Sequence, residues 1–159
     1  MTEKIVFLDL EDTVIDTFAD GNLVRTAVVR RFLAQERPQR VALFSYALWD
    51  ERDRRNCERR LVPGLQESLG VALDLTISPT IDDLRRIVER TRRMAAGSLS
   101  QQDFFDWFGR KEEGFIQFAR FGPGFEGQTL VLLDDMVPEM ELRMPASDLI
   151  VRTVPVQSL

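Results

Sequence analysis

The chain has 159 residues, enough for one domain with a substantial core, and 44% hydrophobic with 30% charged side chains is an ordinary globular composition. It contains no histidine and one cysteine, Cys57. That excludes histidine-based catalytic triads, histidine-ligated zinc, an intramolecular disulfide and a thiolate metal cluster within one chain. The net charge of −5 argues against a nucleic-acid module held mainly by phosphate contacts, so a nucleic-acid partner is not favoured. No apolar run reaches the roughly 20 residues of a membrane helix, and the N-terminal residues lack a signal-peptide layout, so the expected location is cytoplasmic.

Lys4 to Leu10 is a β-branched and aromatic run with no helical gaps, the pattern of a buried parallel strand. It ends in acids and Thr13. Asp20-Gly21-Asn22 marks a turn, and apolar residues at helical spacing predict a helix from Leu23 to Glu36, stopped before Pro38. Val41 to Tyr46 reads as a second buried strand. A polar helix follows from about Asp50 to Arg60, and Pro63-Gly64 separates it from a short helix ending at Leu69-Gly70.

Val71 to Ile77 alternates and predicts a third strand. Thr80 is placed to cap a helix from Ile81 to about Ala96. Further helices are expected from Ser100 or Gln101 to Phe108 and from about Lys111 to Arg120, before a Gly122-Pro123-Gly124 loop. Thr129 to Leu133 reads as a fourth strand ending in Asp134-Asp135, and Leu149 to Val154 as a fifth. Strands alternating with helices predict an α/β fold with a central, mainly parallel sheet, formed by residues 1–159 as a single domain.

Ligands in open α/β sheets sit beyond the carboxyl ends of the strands. Strand one ends in Asp9-Leu10-Glu11-Asp12-Thr13, strand two in Ser45, and strand four in Asp134-Asp135. If those strands are neighbours, several carboxylates share one crevice. Such a cluster repels itself unless a cation neutralises it, which points to magnesium. The chain carries 19 arginines and only two lysines, Lys4 and Lys111, so Lys111 stands where a compact ammonium suits a site. Arg110 is the fallback cation.

In this order these residues resemble the haloacid dehalogenase-like (HAD) hydrolases. The Asp-x-Asp-x-Thr motif of that family after a buried strand is matched by Asp9-Leu10-Glu11-Asp12-Thr13, with Glu11 at its second acid. A Glu there resembles the enolase-phosphatase branch. Leu43-Phe44-Ser45 matches the second motif, Lys111 the third, and Leu132-Leu133-Asp134-Asp135 the fourth. The resemblance spans most of the chain and implies a Rossmann-like three-layer fold. It also implies a phosphohydrolase acting on phosphomonoesters through an aspartyl-phosphate on Asp9.

In that reading Glu11 is the acid and base, while Ser45 and Lys111 hold the transferring phosphoryl group. Mg2+ is bound by Asp9, Asp134, Asp135 and the Glu11 main-chain carbonyl. Thr13 braces the loop, and Asp12 belongs to a turn or cap. The little chain between Asp9 and Ser45 resembles the capless branch, with a small lid or dimer contact expected around Ser98–Gly109. Tyr46, Trp49 and the flap from Ile15 to Asn22 are expected near the leaving group. The substrate is then a phosphorylated small molecule or macromolecule, with a homodimer as one way to cover the site.

Competing readings are a non-catalytic HAD-like module that binds a phosphate or a partner, and a polynucleotide end phosphatase. The second needs two arginine-rich runs, Arg52 to Arg60 and Arg85 to Arg93, to face the cleft; both carry acids and read first as solvated helix faces. A response-regulator receiver domain places its acidic pair early and its single Asp late, the reverse of this order. The aromatic residues Phe104, Phe105, Trp107, Phe108, Phe115, Phe118 and Phe121 read as core or interface, and Cys57 as incidental.

Overall fold

The computed structural model describes residues 2–122 and 124–159. Pro123, in the expected Gly122–Gly124 loop, lies outside the described residues. The sheet has five strands: β1 (Lys4–Leu8), β2 (Arg40–Leu43), β3 (Thr129–Asp134), β4 (Met140–Met144) and β5 (Leu149–Pro155). Their order is β2-β1-β3-β5-β4. Four strands are parallel, and β4 runs antiparallel to β5 along one edge.

Six helices cover the two faces: α1 (Thr26–Glu36), α2 (Glu51–Arg60), α3 (Val62–Leu69), α4 (Ile81–Thr91), α5 (Gln101–Phe108) and α6 (Lys111–Phe121). The alternation along β1 decides the layering. Val6 and Leu8 point into a core with Val29 and Phe32 of α1, Cys57 of α2 and Leu65 of α3. Ile5 and Phe7 point into a second core with Leu84 and Val88 of α4, Phe104 of α5, and Phe115 and Phe118 of α6. This is a three-layer, Rossmann-like α/β arrangement. No helix among the described residues is long and apolar enough to cross a membrane.

The aromatic residues of α6 fix its placement. The Phe7 ring meets Phe115 and Phe118 edge-on, with centroids 5.4 and 5.6 Å apart. Phe44 meets Phe115 at 5.1 Å. Burying one such side chain contributes about 1.5–3 kcal/mol, so these rings hold α6 firmly against this face of the sheet, with its first residue, Lys111, at the strand tips. The Ser98–Gly109 segment forms α5, which buries Phe104 and Phe108 and leaves Trp107 exposed beneath the Arg92 guanidinium.

Several boundaries differ from the expected ones. Val71–Ile77 is not a strand. Leu73 makes one isolated bridge to Val41, and the Asp74 side chain accepts from the Thr76 amide at 3.0 Å, turning Leu75–Ile77 into a 3-10 turn. β2 ends at Leu43 rather than Tyr46. The first helix starts at Thr26 rather than Leu23, because Leu23 pairs with Ile15 and Arg25 sits at a left-handed φ of 52°. α4 stops at Thr91, not Ala96: Arg93 is left-handed, and the buried Glu89 accepts from the Gly97 and Leu99 amides at 3.1 and 2.8 Å. β4 was not expected: Met-Glu-Leu-Arg-Met does alternate apolar and polar residues, but the run is only five residues long and forms a mostly exposed edge strand.

Caps follow local chemistry. Asp50 accepts from the Asp53 amide at the start of α2, and Thr80 with Asp83 forms a capping box on α4. Gly70 closes α3 at φ 70°.

Candidate active site

Strand order reverses around β1. The chain moves from β1 to β2 on one side, and β3 then lies on the other. A crevice at such a switch point is the usual ligand position in open α/β sheets. Register aligns the tips, because Leu8 pairs with both Leu43 and Leu133. The Asp9 amide continues the ladder by donating to the Leu133 carbonyl at 3.0 Å, and the Phe44 amide donates to Leu8 at 2.9 Å. Asp9 therefore stands between Phe44-Ser45 and Asp134.

Asp9 is 2% exposed and Asp134 0%. The Lys111 ammonium, from the first residue of α6, lies 2.7 Å from Asp9 Oδ1 and 2.7 Å from Asp134 Oδ2. Thr13 Oγ1 donates to Asp9 Oδ2 at 3.2 Å, and the Met136 amide donates to Asp134 Oδ1 at 2.7 Å. Asp134 Oδ2 has no well-aligned hydrogen-bond donor, so its contact with Lys111 is an ion pair alone. Arg110 is exposed, and Lys111 supplies the cation at the acids.

Charge is unbalanced here. Burial pushes the Asp9 carboxyl up to about 7; Lys111 pulls it down, while Asp134 and Asp135 push it further up. Burial and the neighbouring Asp134 also raise Asp135. Burial works against the Lys111 ammonium, but Asp9 and Asp134 outweigh it and raise its pKa. One ammonium thus serves three acids. Carboxylate oxygens of Asp9, Asp134 and Asp135 lie within 4.8 Å of one another. This all-oxygen donor set fits a small, hard divalent cation.

The remaining expected residues surround the same opening, a cavity of about 680 Å³ whose lining includes Asp9, Glu11, Ser45, Tyr46, Trp49 and Lys111. Ser45 Oγ accepts from the Ala47 amide at 3.1 Å. Its own proton has no acceptor among the described residues and is left to donate into the cavity. Glu11 is not part of the carboxylate triad. Its Oε2 accepts from the Phe18 amide at 2.8 Å, so the side chain holds the flap. Asp12 sits at φ 61° with an exposed side chain, as a turn residue.

The flap is closed on itself by Asp16, which accepts from the Asn22 amide at 2.9 Å and side chain at 2.8 Å. Arg60 reaches over from α2 to donate to the Ala19 carbonyl at 3.0 Å, and its guanidinium stacks 5.2 Å from the Phe18 ring. Met136 stands exposed at the rim.

Tyr46 does more than line the cavity. Its hydroxyl donates to the Phe108 carbonyl at the end of α5 at 2.7 Å, and its ring lies 5.5 Å from Lys111 Nζ. A Cβ at Gly114 would sit 2.0 Å from that hydroxyl. Gly114 is thus a residue that lets α6 approach the sheet, and its only sequence signal is a glycine inside a helical pattern. Gly114→Ala is expected to destabilise the protein by about 2 kcal/mol, measured by urea unfolding, and to loosen Lys111 over the acids.

Fold and site together define an α/β protein with a carboxylate–lysine cluster at the carboxyl edge of a mainly parallel sheet. The chain matches no protein-family model, no curated protein and no solved structure.

Proposed function

We propose that the protein is a magnesium-dependent phosphohydrolase of the HAD-like type, acting on phosphomonoesters through Asp9. The observation that carries this reading is Lys111. It lies 102 residues after Asp9 in the chain and reaches both the nucleophile candidate and the paired acid. A structural ion pair needs one carboxylate; a lysine shared between two buried ones suits a site that receives a further anion and a cation.

Asp9 attacks phosphorus in line, and the bond to the leaving oxygen breaks as Glu11 gives that oxygen a proton. Glu11, now a carboxylate, takes a proton from water. The resulting hydroxide displaces Asp9 from the aspartyl-phosphate, releasing inorganic phosphate and restoring both side chains. Lys111 favours the anionic form of Asp9 against the effect of burial and offsets charge on the phosphoryl group, while Ser45 donates to one of its oxygens. Glu11 must swing from the Phe18 amide to do this, a motion within one flap. Asp9, Asp134, Asp135 and the Glu11 carbonyl would hold Mg2+, which when bound offsets repulsion between nucleophile and phosphate.

The test is phosphate release from p-nitrophenyl phosphate with magnesium. Expected is turnover that EDTA abolishes and magnesium restores, and that is absent in Asp9→Asn. Turnover independent of magnesium or of Asp9 would refute the reading. The engaged Glu11 carboxylate favours one other reading, a non-catalytic phosphate-binding module. Phosphate binding without turnover would select it.

A further inference from the structure

The arginines of α2 divide into two sets. Arg54 and Arg60 are spent on the fold. Arg54 donates to the Ser78 carbonyl at 2.8 Å and to Asp83 at 3.3 Å, and Arg60 clamps the flap. In the second arginine-rich run Arg85 donates to the Leu99 carbonyl at 2.9 Å, Arg92 stacks 4.5 Å from the Trp107 ring and Arg86 pairs with Asp83 at 3.4 Å, while Arg90 and Arg93, without an ion pair among the described residues, do not line the Asp9 cavity. Arg52, Arg55 and Arg59 differ. Arg52 has no ion pair among the described residues, Arg59 reaches Asn56 at 3.3 Å, and Arg55 pairs loosely with Glu51 at 3.6 Å while 77% exposed.

These three line one concavity of about 420 Å³, together with Asp53 and Asn56. Asp53 also lines the Asp9 cavity, so the two concavities adjoin there. The Asp53 carboxylate accepts from the Trp49 amide at 3.0 Å and makes no ion pair with these arginines among the described residues. Trp49, whose amide is held by Asp53, lines the Asp9 cavity, 39% exposed and backed by the Phe105 ring at 5.5 Å. A supported, half-open indole beside a phosphate site is a stacking platform. From it, Arg52 to Arg59 extends about 10 Å along the helix axis. The sugar–phosphate backbone holds successive phosphates farther apart than the base-stacking rise, so this length takes about two of them.

We propose that the phosphate taken at Asp9 stands at the end of a single-stranded polynucleotide. Its terminal base stacks on Trp49, and its next phosphates lie along Arg52, Arg55 and Arg59. The proposal rests on the phosphohydrolase reading of the Asp9 site. The overall charge of −5 does not oppose it, because the positive face is local and adjoins the cavity. The chemistry is a phosphomonoester end followed by evenly spaced phosphodiesters, at either the 5′ or the 3′ terminus.

Steady-state kinetics on an oligothymidylate with a 5′- or 3′-terminal phosphate, against thymidine monophosphate with the same terminus, tests it. For one terminus the oligomer is expected to show a kcat/KM about tenfold or more above the mononucleotide, a gap that narrows as salt rises from about 50 to about 200 mM. In the combined Arg52→Ala, Arg55→Ala, Arg59→Ala variant the gap closes, and the log–log salt slope becomes shallower by about 2. Turnover of p-nitrophenyl phosphate stays within about twofold of wild type, which also shows that the variant folds.

Equal kcat/KM for oligomer and mononucleotide overturns the proposal. So does an acidic phosphopeptide of matched charge turned over as well as the oligomer. If wild type releases phosphate from none of these, the phosphohydrolase reading fails separately. Binding of the same phosphorylated oligomer, followed by fluorescence anisotropy with magnesium, then decides the surface. Salt-sensitive binding lost in the triple variant sustains it, and absence of binding ends it.

Discussion

Lys111→Ala is expected to abolish phosphate release and to lower stability by about 3 kcal/mol near neutral pH. The ammonium faces two carboxylates that are almost wholly buried, and each loses its nearest opposite charge at once. What remains is like-charge repulsion in a site already poor in compensation. The loss therefore depends on pH: larger above about pH 7, where the Asp9 carboxyl is charged, and smaller near about pH 5, where it holds its proton. Chemical denaturation of wild type and variant at the two pH values checks this. Magnesium in excess recovers part of the stability but not the activity, because the metal replaces charge and not the donor aimed at the phosphoryl group. A variant as stable as wild type at both pH values would show that Lys111 is not holding the acids together.

Asp9→Asn is expected to separate function from stability in the opposite sense. It removes the proposed nucleophile, so turnover is expected to fall by at least about a thousandfold, yet the metal-free fold becomes more stable at about pH 7.5, by on the order of 2 kcal/mol. Asp9 ordinarily releases its proton near 3.8 when unfolded but near about 7 when folded, chiefly because it is buried. The folded chain thus binds the extra proton between those values. The stability tied to that proton is fully present below the lower value and is lost as pH rises through the upper. In EDTA, the melting temperature of wild type is expected to fall between about pH 5 and about pH 7.5, and that of Asp9→Asn to stay flatter. Magnesium raises the wild-type melting temperature more than that of the variant, since one carboxylate ligand is missing. A wild-type curve without slope in EDTA would mean that the Asp9 carboxyl is not strained by its surroundings.

The polar tips of the buried strands were legible in the sequence because apolar runs of this length have few alternatives. Ile5-Val6-Phe7-Leu8 and Leu130-Val131-Leu132-Leu133 must be inside, so the acids that end them must lie at an edge. Helix starts at Asp50, Thr80 and Ser100 were legible for a similar local reason, since each side chain caps its own backbone. Legibility failed where a local signal met a partner distant in sequence. The alternating Val71–Ile77 lost its strand character to Asp74 and to a sheet edge offering it a single bridge. Met140–Met144 alternates apolar and polar residues over only five positions, and pairing with β5 makes it the edge strand. Glu89 shortened α4 by capturing amides eight and ten residues ahead.

By itself, then, the sequence determined the α/β class and the side chains at the strand ends: carboxylates, in a chain with no histidine, one cysteine and two lysines. Only the tertiary structure decided that Lys111 faces both Asp9 and Asp134, that Glu11 is tied to the flap, and that Arg52, Arg55 and Arg59 of α2 line a concavity adjoining the cavity. The reason is physical. Periodicity and capping are set by neighbours within a turn or two. The meeting of residues 9, 111 and 134 depends on strand order, register and the close approach that Gly114 permits between α6 and Tyr46.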